Sequence, residues 1–107
     1  MCNNLKTLHQ NDIGYIGICE NCENLHVEVG NFMSSICKQG FRAMVNDFQT
    51  KRRFRERHYV NTPTGAKILI RLSENSYISH TPEEFELVIE LFEQSSHFLS
   101  VMELLEV

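Results

Sequence analysis

The sequence has no tryptophan, two prolines (Pro63 and Pro82) and five glycines in 107 residues. So few prolines and glycines leave no room for a Pro-rich or Gly/Ser-rich linker between domains. The glycines form no phosphate-cradling loop, and neither His-Glu-x-x-His nor Gly-x-Ser-x-Gly occurs. Nucleotide hydrolysis, zinc-peptidase and serine-hydrolase chemistry are therefore without a motif. No run of about 18 apolar residues is present, so no transmembrane helix is expected. Met1 to Lys6 lacks the apolar core of a secretory signal, which makes a cytoplasmic location the expectation. Positive charge is short too: ten Lys and Arg face fourteen Asp and Glu, for a net charge of -4. A field of that sign opposes nucleic-acid binding by the molecule as a whole.

What remains is ordinary for a soluble globular chain, 42% hydrophobic and 22% charged, and long enough for one domain over residues 1–107 with a modest core. Cysteine is the exception, with Cys2, Cys19, Cys22 and Cys37 in a short chain. In a reducing compartment four cysteines read as free thiols or metal ligands rather than disulfides.

Residues 5–9 and 13–18 are β-prone runs around Gln10-Asn11-Asp12, the pattern of a hairpin. Leu25-His26-Val27-Glu28-Val29 alternates apolar and polar, which predicts one buried face, and Gly30-Asn31 turns the chain into a returning strand over Phe32 to Ile36. Phe41, Met44, Val45 and Phe48 then fall at helical spacing. The second half repeats this order. A strand begins near Arg57 to Val60, turns at Asn61 to Gly65, returns through Ile68, Ile70 and Leu72, and gives a short third strand from Ser76 to His80. Phe85, Val88, Ile89 and Phe92 then repeat the helical stripe 44 residues after the first. Thr81-Pro82-Glu83-Glu84 supplies a cap, a first-turn proline and a capping-box glutamate. The second cap has no counterpart in the first copy, where Cys37 stands opposite Thr81 and Gly40 weakens the first turn.

These readings predict an α+β fold of two β-β-β-α repeats, about 13–50 and about 57–94, with two helices covering a largely antiparallel sheet. A C-terminal helical tail over 95–107 carries Phe98, Val101, Met102 and Leu105 on one face, and Ser100 to Glu103 has the form of a separate capping box. Such an apolar tail either packs on its own core or makes a homodimer contact.

The Met-Cys start, Gly-Tyr-x-x-x-Cys-x-x-Cys from Gly14 to Cys22, the alternating strand with Gly30-Asn31, and Thr62-Pro63 before a second strand and capped helix resemble a family of small uncharacterised bacterial proteins classed as a domain of unknown function. The resemblance covers most of the chain. It departs at Ile36-Cys37-Lys38-Gln39-Gly40, where the family pattern leads to Leu-Ser-x-x-Glu, which puts the cap of the first helix in question. It implies a fold and no activity.

Zinc is the first chemistry the residues suggest, because Cys19-x-x-Cys22 supplies two thiolates at ligand spacing. Turning the first hairpin near Gln10-Asn11-Asp12 carries Cys2 to the same end, and turning at Gly30-Asn31 carries Cys37 there. If the strands lie in sequence order, Cys2 and Cys37 stand about 14 Å apart, and His26 is the substitute fourth ligand. His9 falls roughly 20 Å away, at the other end of the hairpin. Thiol-based redox chemistry is a rival use of the pair, although strand signals follow Cys22 where a reactive dithiol needs a helix N-terminus.

The second candidate is the basic stretch Lys51, Arg52, Arg53, Phe54, Arg55, Glu56 and Arg57, whose five positive charges and one negative leave the rest of the chain at -8. It fits salt-sensitive single-stranded nucleic-acid binding with Phe54 stacking on a base. It fits better the solvated C-terminus of the first helix, or a pairing with the glutamates Glu83, Glu84, Glu86, Glu90 and Glu93 of the second. Carboxylates show no acid/base pairing. The sequence thus predicts a non-enzymatic binding or interaction module, with a zinc-stabilised site at Cys2, Cys19, Cys22 and Cys37 or His26. Nucleic-acid binding and thiol redox chemistry are the alternatives, and neither a membrane nor a defined protein partner is implied.

Overall fold

A computed structural model of the chain describes residues 4–54, 58–73 and 75–105. Cys2, Arg55 and Arg57 lie outside the described residues. The first half forms β1 (Leu5–Asn11), β2 (Gly14–Cys19), β3 (Leu25–Val29) and β4 (Phe32–Ile36), followed by helix α1 (Lys38–Arg53). The second half forms β5 (Tyr59–Thr62), β6 (Gly65–Ser73) and β7 (Ser76–His80), followed by helix α2 (Pro82–Leu105). The strands make two antiparallel sheets, one of four strands in the order β1-β2-β3-β4 and one of three in the order β5-β6-β7. The α+β class is the expected one. The strands expected in one largely antiparallel sheet are divided between two, one from each half of the chain. β1 pairs with β2 as the hairpin read from residues 5–9 and 13–18, so the first sheet has four strands.

Local chemistry explains the turns. The Asn11 side chain accepts a hydrogen bond from the backbone N–H of Ile13 at 3.0 Å and so closes the first hairpin. Gly14 opens β2 because a Cβ there would lie 1.8 Å from the carbonyl oxygen of Glu28. Gly30, at φ 59°, takes the left-handed position of the β3–β4 turn.

Both helices are capped. Cys37 is the N-cap of α1, in extended backbone, and its sulfur accepts from the Gly40 N–H at 3.4 Å. The position without an obvious cap in the sequence is thus filled by a thiol. At α2 the Glu84 N–H donates to Thr81 Oγ1 at 3.1 Å, and the Thr81 N–H donates to Glu84 Oε1 at 2.8 Å. This is the reciprocal box read from the sequence. Helix α2 does not stop at Ser95. Leu91, Ser95 and Leu99 are buried and Met102 is half-buried, continuing one stripe, so the tail is part of one 24-residue helix. The separate capped helix at Ser100 is not formed.

The core lies between the helices and the inner faces of the sheets, with Ile16, Leu25, Val27, Phe41, Ile68 and Ile89 among its buried members. Its centre is an aromatic seam. Phe41 stacks on Phe92 with ring centroids 5.5 Å apart, Phe48 meets Phe85 edge-on at 6.1 Å, and Phe48 meets Phe92 at 4.8 Å. A shift of 44 residues, the separation of the hydrogen-bonded pair Gln49 and Glu93, maps Phe41 to Phe85 and Phe48 to Phe92. It therefore maps the Phe41–Phe92 contact onto Phe85–Phe48. Phe48–Phe92 and Gln49–Glu93 map onto themselves. The strand–strand–strand–helix order occurs in both halves, as β2-β3-β4-α1 and as β5-β6-β7-α2, with β1 preceding the first.

Candidate functional site: an open groove beside β4

Helix α2 lies against β1 and β2 and also touches β6, β7 and α1, whereas α1 lies chiefly against α2. Phe41, Val45 and Phe48 of α1 are buried, while Ala43 and Asp47 on its margin toward β4 are exposed. A groove of about 350 Å³ opens there. One wall is the inner face of β4, with Phe32, Ser34 and Ile36. Ala43, Met44 and Asp47 of α1 form the other, over a floor of Val27, Phe48 and Ile70. Phe32, Ser34 and Ile36 are only half-buried, while the facing Val27 and Val29 of β3 are buried. Ser34 is the small residue between two large ones, and its size keeps the groove open.

The groove is apolar apart from Ser34 and Asp47, and the Asp47 carboxylate is paired with Lys51 at 3.1 Å. Lys51 also donates to the Leu69 carbonyl at 3.4 Å, which holds it over β6. Along one rim runs β4, an end strand of its sheet. The two-residue turn Gly30-Asn31 makes Val29–Phe32 a hydrogen-bonded pair, and bonding alternates from there. Phe32, Ser34 and Ile36 bond toward β3, so the N–H and C=O of Met33 and Ser35 face outward. The arrangement suits recognition of an extended chain with an apolar side chain. It sets no nucleophile beside a base.

The register places Cys19, Cys22 and Cys37 at one end of the first sheet, since Ile18, Leu25 and Ile36 align across β2, β3 and β4. They do not form one cluster. Cys19 and Cys37 follow strands two spacings apart, about 10 Å. Cys19 is buried and disulfide-bonded, whereas Cys22 and Cys37 are free and exposed. The expectation of reduced thiols is corrected at Cys19, whose sulfur in that state is not a thiolate ligand. His26 is half-buried in the middle of β3, opposite Gly17 and Ser35. Among the described residues no three His, Cys, Asp or Glu side chains gather as a metal site. Cys19 ends β2 and Cys22 sits in the loop before β3, so neither is in the first turn of a helix.

The basic stretch is divided. Lys51, Arg52 and Arg53 end α1, where cations suit the helix dipole, and Phe54 is its C-cap. Arg52 is engaged by α2, 3.4 Å from Glu86 and 3.3 Å from Glu93. The helix-to-helix pairing weighed from the sequence is formed at this residue. Arg53 and Phe54 are exposed.

Sequence reasoning missed the latch that fixes α2 to β1. His9 Nε2 lies 2.9 Å from Glu90 Oε1, and Asn11 Nδ2 donates to Glu90 Oε1 and to the Leu87 carbonyl, both at 2.8 Å. Burial pushes the Glu90 carboxyl up, but the hydrogen bonds from Asn11 and His9 and the His9 charge outweigh it and hold the group below its ordinary 4.5. At the far end of α2 Glu103 pairs with Lys38 and Arg42 of α1, while Phe98, Val101, Leu104 and Leu105 remain exposed. No helix among the described residues is long and apolar enough to cross a membrane.

A family model described as a family of unknown function (DUF6686) matches residues 1–107. No curated protein and no solved structure matches the chain.

Proposed function

We propose that this chain, which belongs to that family of unknown function, is a non-catalytic interaction module that takes up an extended polypeptide segment along the edge of β4. One observation carries the reading: an end strand without a charged residue runs beside an open apolar groove. Strand addition draws its affinity from main-chain hydrogen bonds and its selectivity from pockets for alternate side chains. The Met33 and Ser35 backbone supplies the first, and the groove between β4 and α1 the second.

The other outer strands are less suited. β1 carries Lys6 and an irregular register between Thr7 and His9, and β5 is four residues long and runs into Pro63. Charges, bulges, short length and proline are the means by which sheet edges are kept from pairing. β7 carries no acid or lysine, but Ile78 and His80 line an apolar cavity of only about 30 Å³, against about 350 Å³ beside β4.

A display library of extended heptapeptides tests the module. Peptides with alternating apolar residues are expected to bind the wild type and to lose binding to a Ser35→Pro variant. That substitution removes an outward N–H without touching the β3–β4 ladder. Binding that ignores Ser35→Pro, or no binding by any peptide, overturns the reading. The exposed stripe Phe98, Val101 and Leu105 favours a second contact surface at the end of α2. It spans about two turns, too short for a stable helix pair unaided.

A further inference from the structure

Resting on the reading of β4 as a binding edge, we propose that its occupant is β4 of a second copy, so that two four-stranded sheets join into one of eight strands. The sequence of the strand, Phe32-Met33-Ser34-Ser35-Ile36, is self-complementary when run antiparallel about Ser34. Phe32 then lies opposite Ile36, both on the groove side, and Met33 opposite Ser35, both on the outer side. Ser34 meets its own copy on the twofold axis. Turned about an axis perpendicular to the sheet, the two grooves come to the same face, where Phe32 of each copy reaches toward Ile36 of the other.

Electrostatics permits this pairing. No charged residue occupies β4, so self-association brings no like charges opposite one another in the ladder. The flanking Lys38 is already within 3.8 Å of Glu103 in its own chain. The outward groups also match in number. Met33 and Ser35 of each copy offer two N–H and two C=O groups, and Met33 pairs with Ser35 of the other copy as a hydrogen-bonded pair. Ser34 faces Ser34 as a non-hydrogen-bonded pair, the closer of the two geometries, with Cα atoms about 4.5 Å apart. Five residues of edge and three groove-facing side chains make a small interface, under about 1,200 Å², the class in which association is weak and concentration-dependent.

The register makes the inference testable by cross-linking. In a background with Cys22→Ser and Cys37→Ser, a Ser34→Cys variant places two thiols within disulfide reach across the axis. Mild oxidation is expected to give a covalent dimer. Ser35→Cys alone is expected to stay monomeric, and an equimolar mixture with Met33→Cys to cross-link. By sedimentation the wild type should move from monomer toward dimer between low and high micromolar concentration. Ser35→Pro and Ser35→Lys, checked for folding by their melting curves, should weaken association at least about tenfold. A wild type that stays monomeric and a Ser34→Cys variant that does not cross-link overturn the second copy. So does a dimer that survives Ser35→Pro and is lost with Leu104→Glu/Leu105→Glu, which moves the contact to α2. If a monomeric protein still binds heptapeptides in a Ser35-dependent way, only the second copy falls; if it binds none, the module reading falls with it.

Discussion

Ser95 is the residue whose position is hardest to justify by stability. It is fully buried in the middle of α2, and its hydroxyl has no hydrogen-bond partner among the described residues. A buried polar group left unpaired costs about 1–3 kcal/mol, and alanine keeps the helix and removes the group. Ser95→Ala is therefore expected to raise the melting temperature, by roughly 4 to 8 °C if the gain is 1 kcal/mol. An unchanged or lowered value by calorimetry would show that the hydroxyl is satisfied. Cys19 poses the other question at this scale, because a disulfide and a zinc thiolate make opposite demands on one sulfur. Alkylation of the denatured protein before reduction should label Cys22 and Cys37 and leave Cys19 unmodified. Labelling of Cys19 without reductant, together with bound zinc and a chelator-sensitive melting temperature, would restore the metal reading.

Among the elements, the helices were the most legible in the sequence. Their stripes at Phe41 to Phe48 and Phe85 to Phe92 repeat at a fixed offset, and the Thr81 cap depends only on residues three apart. The 44-residue offset set Cys37 at the cap position, but its capping role was not legible, because a thiol is a weak acceptor and is absent from the preferred capping residues. The groove escaped for another reason. Ser34 looks like any polar residue in a short strand, and only the placement of α1 against α2 shows that its wall is left uncovered. The latch between His9, Asn11 and Glu90 joins residues some 80 positions apart, and no local pattern announces it. The aromatic seam allows a quantitative check on the core. Phe48 and Phe92 each make two ring contacts, and Phe41 and Phe85 one each. With each ring pair worth about 0.5–1.5 kcal/mol beyond burial, Phe48→Leu and Phe92→Leu should each cost more than Phe41→Leu or Phe85→Leu by about that amount. Denaturant midpoints measure the four variants, and equal losses at all of them would remove the seam as the centre of the core.

The whole molecule is poised to lose stability in acid, because three groups shift in the same sense. Burial in the apolar region near Val88 and Ile78 pulls the His80 imidazole below its ordinary 6.5, against the opposing charge of Glu84. The hydrogen bond from the Thr81 backbone holds Glu84 below its ordinary 4.5, and the latch does the same for Glu90. In each case the unfolded chain binds its proton at higher pH than the folded one, so stability rises with pH across that interval. The contribution of His80 is complete above 6.5 and is lost as pH falls through the lowered folded value. Those of Glu84 and Glu90 are complete above 4.5 and are lost lower down. Two separate declines are therefore expected in stability against pH, and only the upper one belongs to His80. His80→Phe keeps an aromatic ring in the same apolar surroundings and removes the titrating group, so it should flatten the upper decline and leave the lower one in place. Asn11→Ala, which takes a donor from Glu90, should shrink the lower decline and spare the upper. A His80→Phe variant that still loses stability between about pH 7 and 5 would show that another group governs that interval.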